Sequence, residues 1–353
     1  MNSIIENKAY LFLIYLLLGI LTSFSLPPYN LVFINFFTLP VLLYILINYV
    51  DKKIISFLAG WIFGFGYFIS SLYWITNSLT FDVNFKFIVP FALILIPLFL
   101  GIFYGLVTFL CNFFKLKNKI SSILIFSIFF GGIEFLRSFI FGGFPWNLLV
   151  FSLSNNLHSL QILSYIGTYS LNLLSITIFL LPVIFFFKYK RLTKFLIFSI
   201  SLILVVINFL YGNLIIKNFE KKKYDNLSSI IRVVSPNIPI ERFLSNQDVQ
   251  RNIFELVSLS DPHDQKKIIF IYPEGIITSV YSKNLKLFKD IFKENYNFNH
   301  KVILGINSIN QNKIYNSLIV LNNEAELLYK YNKNKLVPFG EFLPFENFLK
   351  KIG

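Results

Sequence analysis

The stretch Phe87–Cys111 reads FIVPFALILIPLFLGIFYGLVTFLC and contains no charged residue. A helix needs roughly 20 apolar residues to cross the hydrocarbon core of a bilayer, so this stretch is long enough to span it. Backbone groups in lipid must satisfy one another, which predicts a bundle of membrane-spanning helices. Six further apolar runs lie on either side of it, near Ala9–Leu26, Leu31–Val50, Ile54–Ile75, Ile120–Ile140, Tyr165–Phe187 and Phe195–Ile215.

The composition divides the chain into two parts. Of its 353 residues 55% are hydrophobic and only 14% are charged, whereas a soluble domain carries about 25% charged residues. Residues 1–212 contain 12 Lys and Arg and 4 Asp and Glu, against 20 and 14 in the rest of the chain. We therefore expect a bundle of seven helices over residues 1–215 and a separate, water-exposed α/β domain over residues 216–353.

The net charge of +14 does not indicate a nucleic-acid partner, because the basic residues of the first part stand in short clusters between apolar runs. Such clusters set membrane topology. They predict a cytoplasmic N-terminus, and seven crossings then place the segment after Ile215 on the outer side. The cluster Lys221–Lys223 argues against this orientation, but large domains translocate largely regardless of charge. The topology-setting residues are Lys8, Lys52, Lys53, Lys115, Lys117, Lys119, Lys188, Lys190, Arg191 and Lys194.

The second part alternates between two patterns. Four short, β-branched apolar runs predict buried strands, and the segments between them carry apolar residues at helical spacing, which favours a layered α/β fold. The predicted strands are Ile230–Val234, Ile268–Tyr272, Val302–Ile306 and Ser317–Leu321. The predicted helices contain Val249, Ile253, Leu256 and Val257, and then Leu287, Phe288, Ile291 and Phe292.

Candidate functional residues in the first part lie in and after the fifth run. Glu134 and Arg137 are three residues apart, so they share one helix face. They form either a mutually satisfied structural pair or a polar patch for a lipid headgroup. The following Pro145 and Trp146 form either a turn with an interfacial anchor or part of a lipid-binding site on the outer face.

Candidate residues in the second part are a carboxylate and a lysine. Glu274 follows a predicted strand, at the rim of a sheet, where partial burial would suit it to general-base work. Lys333 belongs to the stretch Tyr331–Glu341, whose Pro338 and Gly340 predict a loop. A lysine beside a carboxylate can stabilise an oxyanion during acyl transfer. The alternative is a solvated loop.

Nothing in the sequence indicates a metal or cofactor. The three histidines, His158, His263 and His300, lack metal-ligand spacing, and there is no Gly-rich phosphate loop. The single cysteine, Cys111, ends an apolar run, where a thiol is typically a small buried hydrophobe.

Motifs in this order resemble the apolipoprotein N-acyltransferases, bacterial inner-membrane enzymes of the nitrilase superfamily, over nearly the whole chain. In the first part they are Gly64–Tyr67, Leu72–Trp74, Glu134 with Arg137, and Gly143–Trp146. In the second part they are Val234–Pro239, Tyr272–Glu274, Tyr315–Ser317, and Lys333 with Leu336–Pro344.

The resemblance implies a multi-pass helical membrane bundle with a nitrilase-like domain of the αββα type in the periplasm. It implies a cofactor-free transfer of an acyl chain from a phospholipid to an enzyme cysteine. The acyl chain then passes to the N-terminal amine of a diacylglyceryl-cysteine lipoprotein. By motif position Glu274 is the general base, Lys333 the oxyanion-stabilising partner and Glu341 an additional essential acid. Glu134, Arg137, Pro145 and Trp146 are candidates for binding lipid.

The sequence departs from the family pattern in its last part. The family's nucleophilic cysteine follows the loop that contains Glu341, and this region is missing here, so we expect a C-terminally truncated, incomplete nitrilase-like domain. Ser235 and Tyr272 also replace the more usual Gln and Trp. Two alternatives remain open: an inactive remnant or half of a split enzyme, and a membrane transporter or scaffold without chemistry.

Overall fold

The computed structural model describes residues 7–80, 83–140, 143–222, 228–237, 249–275, 277–311 and 313–336. The chain forms two compact units, Met1–Lys222 and Lys223–Gly353. We call them the membrane unit and the sheet unit.

The membrane unit is helical, as its apolar runs predict. Among the residues that the structure describes, six helical segments are long and apolar enough to cross a membrane, and the helix Lys8–Ser23, with 16 residues, is shorter. The predicted multi-pass bundle is thus confirmed, while a seventh crossing stays a prediction. The helices are α1 Lys8–Ser23, α2 Asn35–Tyr49, α3 Lys53–Leu72, α4 Val89–Phe113, α5 Ile120–Arg137, α6 Leu157–Leu160, α7 Leu163–Leu180 and α8 Arg191–Lys221.

The core of the membrane unit is aromatic and aliphatic, and α3 and α4 lie at its centre. Phe63, Tyr67 and Tyr104 are at most 1% exposed, and Cys111 is completely buried. Helix α8 differs, because Gly212 is its only buried residue in the described part of the chain. Its apolar side chains are exposed in the isolated chain, as lipid-facing side chains are.

The described residues of the sheet unit form a mixed six-stranded sheet. Strands β1, β2, β4, β5 and β6 are neighbours in that order, and β3 pairs with β4. Pairs involving β1, β2 and β3 are parallel, whereas β4–β5 and β5–β6 are antiparallel. The elements are β1 Ile230–Val233, α9 Val249–Ser260, β2 Ile268–Ile271, β3 Ile277–Tyr281, α10 Lys289–Asn295, β4 His300–Asn310, β5 Lys313–Leu321 and β6 Leu327–Asn332.

The four predicted strands and the first predicted helix are confirmed, and the second is confirmed with Leu287 and Phe288 in a 3₁₀ helix, Ser282–Phe288, that leads into α10. Strands β3 and β6 were not predicted. Tyr331 and Asn332, which we had expected to begin a loop, end β6. This strand carries no buried residue because it lies at the edge of the sheet, so it lacks the apolar run that marks a buried strand.

Alternate residues of the sheet face opposite ways. One face carries Phe270, Val302 and Ile319, which pack with Leu256 of α9 and Phe292 of α10 into the core of this unit. On the other face, Leu318, Tyr329 and Tyr331 are 43%, 61% and 47% exposed. Their cross-strand pairs, Leu318 with Tyr331 and Val320 with Tyr329, show that they share this face. The sheet therefore has one closed face and one half-open face.

His300 at the start of β4 is fully buried and held as a neutral ring. The backbone N–H of Asn297 donates to its Nδ1 over 3.3 Å, and its Nε2 lies 2.8 Å from the carbonyl oxygen of Asp264. A carbonyl oxygen can only accept, so Nε2 carries the proton and Nδ1 does not. Burial lowers the pKa of His300 below its ordinary value.

We expect His300 to make the sheet unit less stable in mild acid. Because its folded-state pKa is lowered, the unfolded chain takes up the proton first. The free energy of unfolding should stay level above about pH 6.5 and fall as the pH drops through that value. Unfolding of the full chain in detergent between about pH 5 and pH 8 measures this.

The substitution His300→Gln should flatten this pH dependence, and His263→Gln, at a histidine that is 87% exposed, should leave it as in the parent chain. An unchanged slope in His300→Gln would contradict the assignment of the neutral ring.

Candidate functional site

Glu274 lies in the gap between two strands that pair with the same neighbour. Strands β2 and β3 both pair with β4, and the chain leaves the sheet between them. There it crosses directly over Gly305 of β4. A Cβ atom on Gly305 would lie 2.7 Å from the Cα of Glu274 and 2.8 Å from the backbone nitrogen of Gly275. Since only glycine permits this approach, Gly305 sets the position of the Glu274 backbone.

Asn316 and Lys333 are brought to the same face by strand register. Asn316 pairs with Asn307, two residues beyond Gly305, and cross-strand partners point to the same side of a sheet. The backbone N–H of Lys333 donates to the carbonyl oxygen of Asn316 over 2.8 Å, which continues the pairing of β5 with β6. Two side chains far apart in sequence thus become neighbours.

The three side chains meet at one oxygen atom. Asn316 Nδ2 donates to Glu274 Oε1 over 2.6 Å, and Lys333 Nζ lies 3.1 Å from the same oxygen. The side chains of Glu274 and Lys333 are 64% and 31% exposed. The expected partial burial of Glu274 was therefore wrong, because its carboxylate projects from the half-open face. At this exposure the ion pair contributes only about 0–1 kcal/mol to stability.

A buried polar cluster beneath the site fixes this register. The hydroxyls of Ser308 and Ser317 are 2.7 Å apart, and Ser317 Oγ donates to Asn332 Oδ1 over 2.9 Å. Both serines are at most 2% exposed. Asn332 points into the closed side, so the next residue, Lys333, points to the opposite face. A slip of one residue would exchange the two.

The arrangement suits proton transfer beside a developing negative charge. A carboxylate can take a proton from a nucleophile, while an ammonium and an amide N–H can donate to an oxyanion. Among the described residues there is no group of three or more His, Cys, Asp or Glu side chains that could hold a metal ion.

Glu134 and Arg137 form a second buried network in the membrane unit. Both side chains are 0% exposed, and Arg137 Nη2 lies 3.9 Å from Glu134 Oε1. Tyr104 donates to Glu134 Oε1 over 2.8 Å, and Asn172 donates to Oε2. Asn172 Oδ1 in turn accepts from the backbone N–H of Val150. The carboxylate thus joins α4, α5 and α7 to the segment that follows α5.

Arg137 fixes the segment around Pro145 and Trp146. Its Nη1 donates to the carbonyl oxygens of Phe144 and Trp146 over 2.8 and 3.0 Å. Trp146 stacks on Trp74, with ring centres 5.2 Å apart, and each ring is 44% exposed. Pro145 is exposed. Of the four candidate lipid-binding residues, Pro145 and Trp146 are therefore exposed. Glu134 and Arg137 are buried and hold the backbone of this segment in position.

The structure brings Glu274 and Lys333 together, and it places Glu134, Arg137, Pro145 and Trp146 around one segment of the membrane unit. Glu341 lies outside the described residues. Asn316 lies in the motif Tyr315–Ser317 but has no role that the sequence alone assigns, and Gly305 was not predicted as a site residue. A glycine inside a predicted buried strand was the available signal, because it often marks close backbone approach.

Fold and site together define a multi-pass membrane protein whose α/β domain carries a Glu–Lys–Asn cluster. Residues 18–180 match the apolipoprotein N-acyltransferase N-terminal domain family. The chain is 25% identical to the apolipoprotein N-acyltransferase of Rhizobium rhizogenes, over 97% of this chain and 67% of that protein. It is 27% identical to that of Rhodopseudomonas palustris, over 96% and 66%.

The resemblance inferred from the motifs is confirmed, since the chain is similar to the bacterial apolipoprotein N-acyltransferases over nearly its whole length. It spans about two thirds of the length of these relatives, 66–67%.

We expect Gly305→Ala to displace Glu274. The added Cβ has backbone atoms in its way, and such overpacking costs about 1–3 kcal/mol. Amide hydrogen exchange of the full chain should become faster at Tyr272, which is bonded to Ile303, and at Lys333.

The matched control is Gly275→Asn, because Gly275 has a left-handed φ of 67° with open space around it, and asparagine tolerates that conformation. Normal exchange at Tyr272 and Lys333 in Gly305→Ala would show that the close approach does not position Glu274.

We also expect Arg137→Met to destabilise the membrane unit by about 3–5 kcal/mol, because it leaves the Glu134 carboxylate buried without its cation. Thermal unfolding in detergent measures the loss, and tryptophan fluorescence should report the released Trp146. Adding Glu134→Gln should recover part of the stability, since the two residues are coupled. The control is Arg191→Met at an exposed arginine. Equal stability of the two single variants would refute a structural role for the pair.

Proposed function

We propose that this chain supplies the membrane bundle and the Glu274–Lys333 part of the active site of an apolipoprotein N-acyltransferase. The observation that carries the proposal is the meeting of Glu274, Asn316 and Lys333 at one carboxylate oxygen. The resemblance assigns roles to two of these residues, Glu274 and Lys333, independently of this geometry. Strand register and the Gly305 crossing hold all three on a sheet, and sheets give more precise sites than loops do.

In the proposed first step, Glu274 takes the proton of a cysteine thiol, and the thiolate attacks an ester carbonyl of a phospholipid. Lys333 Nζ and the Asn316 amide donate to the oxyanion that forms. The ester C–O bond breaks, Glu274 returns the proton to the leaving lysophospholipid, and the acyl chain remains as a thioester.

In the proposed second step, the free amine of a diacylglyceryl-cysteine lipoprotein attacks this thioester. Glu274 takes the proton that the amine loses, the C–S bond of the thioester breaks as the amide bond forms, and Glu274 passes the proton to the departing cysteine sulfur. Glu341 belongs to the same site in this proposal, as an additional acid in the sequence that follows Lys333.

Cys111 does not act as the nucleophile in this proposal. It lies in α4 within the membrane unit and is 0% exposed. A buried thiol in apolar surroundings is inert. The thiol therefore comes from sequence other than these 353 residues, either on the same polypeptide or on a separate one.

The basic loops support an orientation in the inner membrane. They follow α2, α4 and the segment after α7, which all end on one side if the helices alternate in direction. The positive-inside rule makes this side cytoplasmic. The proposal places the sheet unit in the periplasm, where lipoprotein substrates are exposed.

A labelled-phospholipid assay tests the proposal. The full chain alone should form no thioester. Co-expression with the C-terminal third of the Rhizobium rhizogenes relative, where the resemblance places the nucleophile, should give a hydroxylamine-sensitive acyl adduct on that fragment.

In the same assay Glu274→Gln and Lys333→Met should each reduce adduct formation at least about a hundredfold. Glu294→Gln, at an exposed carboxylate of α10, is the control and should retain it. An adduct on the chain alone, or full activity of Glu274→Gln, would refute the proposal. Absence of an adduct in every combination would favour an inactive remnant.

A further inference from the structure

Tyr272 and Glu274 point to opposite faces of the sheet although they are two residues apart. In a strand that continued through both, their side chains would point to the same face. The side chain of Tyr272 is 6% exposed and belongs to the core under the closed face. The carboxylate of Glu274 meets Asn316 and Lys333 on the half-open face. The chain therefore turns over between the two residues, at Pro273.

Gly305 accounts for only part of this turn. A glycine there leaves room for the backbone of Glu274 to pass, but it does not hold the end of β2 in place. The backbone N–H of Tyr272 donates to the carbonyl oxygen of Ile303 over 2.8 Å, which ties Tyr272 to β4 two residues before Gly305. A second support comes from the side chain of Tyr272.

The hydroxyl of Tyr272 belongs to a chain of three hydroxyl groups. It lies 2.6 Å from Ser260 Oγ at the end of α9, and it is hydrogen-bonded to the hydroxyl of Tyr296, which directly follows α10. Ser260 Oγ donates to the carbonyl oxygen of Leu256 over 2.5 Å. The three residues that carry hydroxyls are at most 6% exposed. Buried hydroxyls need such partners, so the chain joins the end of β2 to both helices.

The direction of these hydrogen bonds follows from the last acceptor. The carbonyl oxygen of Leu256 can only accept, so Ser260 donates to it and has then used its single proton. Tyr272 therefore donates to Ser260, and Tyr296 donates to Tyr272. Burial raises the pKa of both tyrosine hydroxyls above its ordinary value, so both keep the protons that this order requires. Hydrogen bonds that run in one direction polarise and strengthen one another.

This order gives the two tyrosines different parts in the chain. Tyr272 lies in the middle, where it donates toward α9 and accepts from the residue that follows α10. Loss of its hydroxyl separates the end of β2 from both helices. Tyr296 lies at the beginning, so loss of its hydroxyl leaves the hydrogen bond from Tyr272 to Ser260 intact.

We propose that Tyr272 is the positioning residue for Glu274. Its hydroxyl anchors the end of β2 under the closed face, so that the turn at Pro273 presents the carboxylate to Asn316 and Lys333 on the other face. In this role Tyr272 acts only through Glu274. The inference rests on the proposed function for the role of Glu274 as general base, whereas the positioning itself is a property of the sheet unit.

Carbodiimide cross-linking of the full chain tests the positioning without any acyl transfer. A carbodiimide joins a carboxylate to an amine in contact with it, and Lys333 Nζ lies 3.1 Å from Glu274 Oε1. Mass spectrometry of the digested protein should detect the peptide pair that this bond joins. Tyr272→Phe keeps the ring and removes the hydroxyl, so the yield should fall several-fold. Tyr296→Phe is the matched control, because it removes a buried phenol hydroxyl of the same chain, and it should keep the parent yield.

The rate of acyl adduct formation tests the consequence for the reaction. With the C-terminal third of the Rhizobium rhizogenes relative present, Tyr272→Phe should slow adduct formation about tenfold at saturating phospholipid. The phospholipid concentration at half-maximal rate should stay that of the parent chain, since Tyr272 acts only through Glu274. In a Glu274→Gln background, Tyr272→Phe should cause no further loss. Tyr296→Phe should react at close to the parent rate.

Ser260→Ala supplies an independent variant in case Tyr272→Phe folds poorly. It removes the acceptor of the Tyr272 hydroxyl, which can then turn to the carbonyl oxygen of Leu256, 3.4 Å away. Its cross-link yield and its rate should therefore lie between those of the parent chain and Tyr272→Phe.

The outcomes separate this inference from the proposed function. Equal cross-link yields in Tyr272→Phe and Tyr296→Phe, or no Glu274–Lys333 cross-link in the parent chain, would overturn the positioning role. An equal loss of rate from Tyr272→Phe with and without Glu274→Gln would show that Tyr272 acts through another group, and would overturn it too. A cross-link lost only in Tyr272→Phe supports the positioning role. If no combination then forms an adduct, the proposed function fails while the positioning stands.

Discussion

The buried carboxylate of Glu134 is the constraint around which the membrane unit is organised. No water reaches it, so every lone pair must be satisfied by protein, and an ionisable group inside a bilayer is tolerated only on such terms. Tyr104 and Asn172 bring α4 and α7 to it, and Arg137 lies one helical turn away. Asn172 also accepts a hydrogen bond from the backbone N–H of Val150. Arg137 donates to the backbone carbonyls of Phe144 and Trp146. A polar network that costs desolvation thereby specifies both the helix packing and the surface segment beyond it.

In the sheet unit, a close backbone contact positions the carboxylate of Glu274. Glu274 has to reach across β4 to meet donors from β5 and the end of β6, and a side chain at position 305 would stand in its path. Glycine there removes the obstacle, and the Ser308–Ser317–Asn332 cluster beneath fixes which residues face the carboxylate. The residues that do this are not themselves reactive. Close packing and strand register convert three positions spread over 59 residues into one cluster.

The sequence predicted the helices and strands whose form follows from their surroundings, either lipid or a buried core. Lipid leaves helices as the only backbone solution for runs such as Phe87–Cys111, and burial marks β2 and β4 by their apolar residues. Strand β6 was not predicted because, as an edge strand, it has no buried residues and so no apolar run that marks it in the sequence. Periodicity alone could not join Glu274 to Lys333, since strand order is a long-range property. Family motifs supplied that pairing, but the role of Asn316 followed only from the geometry.

The exposure of Glu274 shows what acyl transfer would further require of this site. Two unit charges a few ångströms apart attract by only about 1 kcal/mol in water, and by several-fold more when solvent is excluded. With the Glu274 side chain 64% exposed, Lys333 can orient the carboxylate but gives an oxyanion little stabilisation. Covering the half-open face would strengthen both donors without moving them. Leu318 and Tyr331, partly exposed beside Asn316 and Lys333, provide apolar surface for such a cover. The proposed acid–base chemistry at Glu274 and Lys333 thus depends on excluding water from side chains whose positions the sheet already fixes.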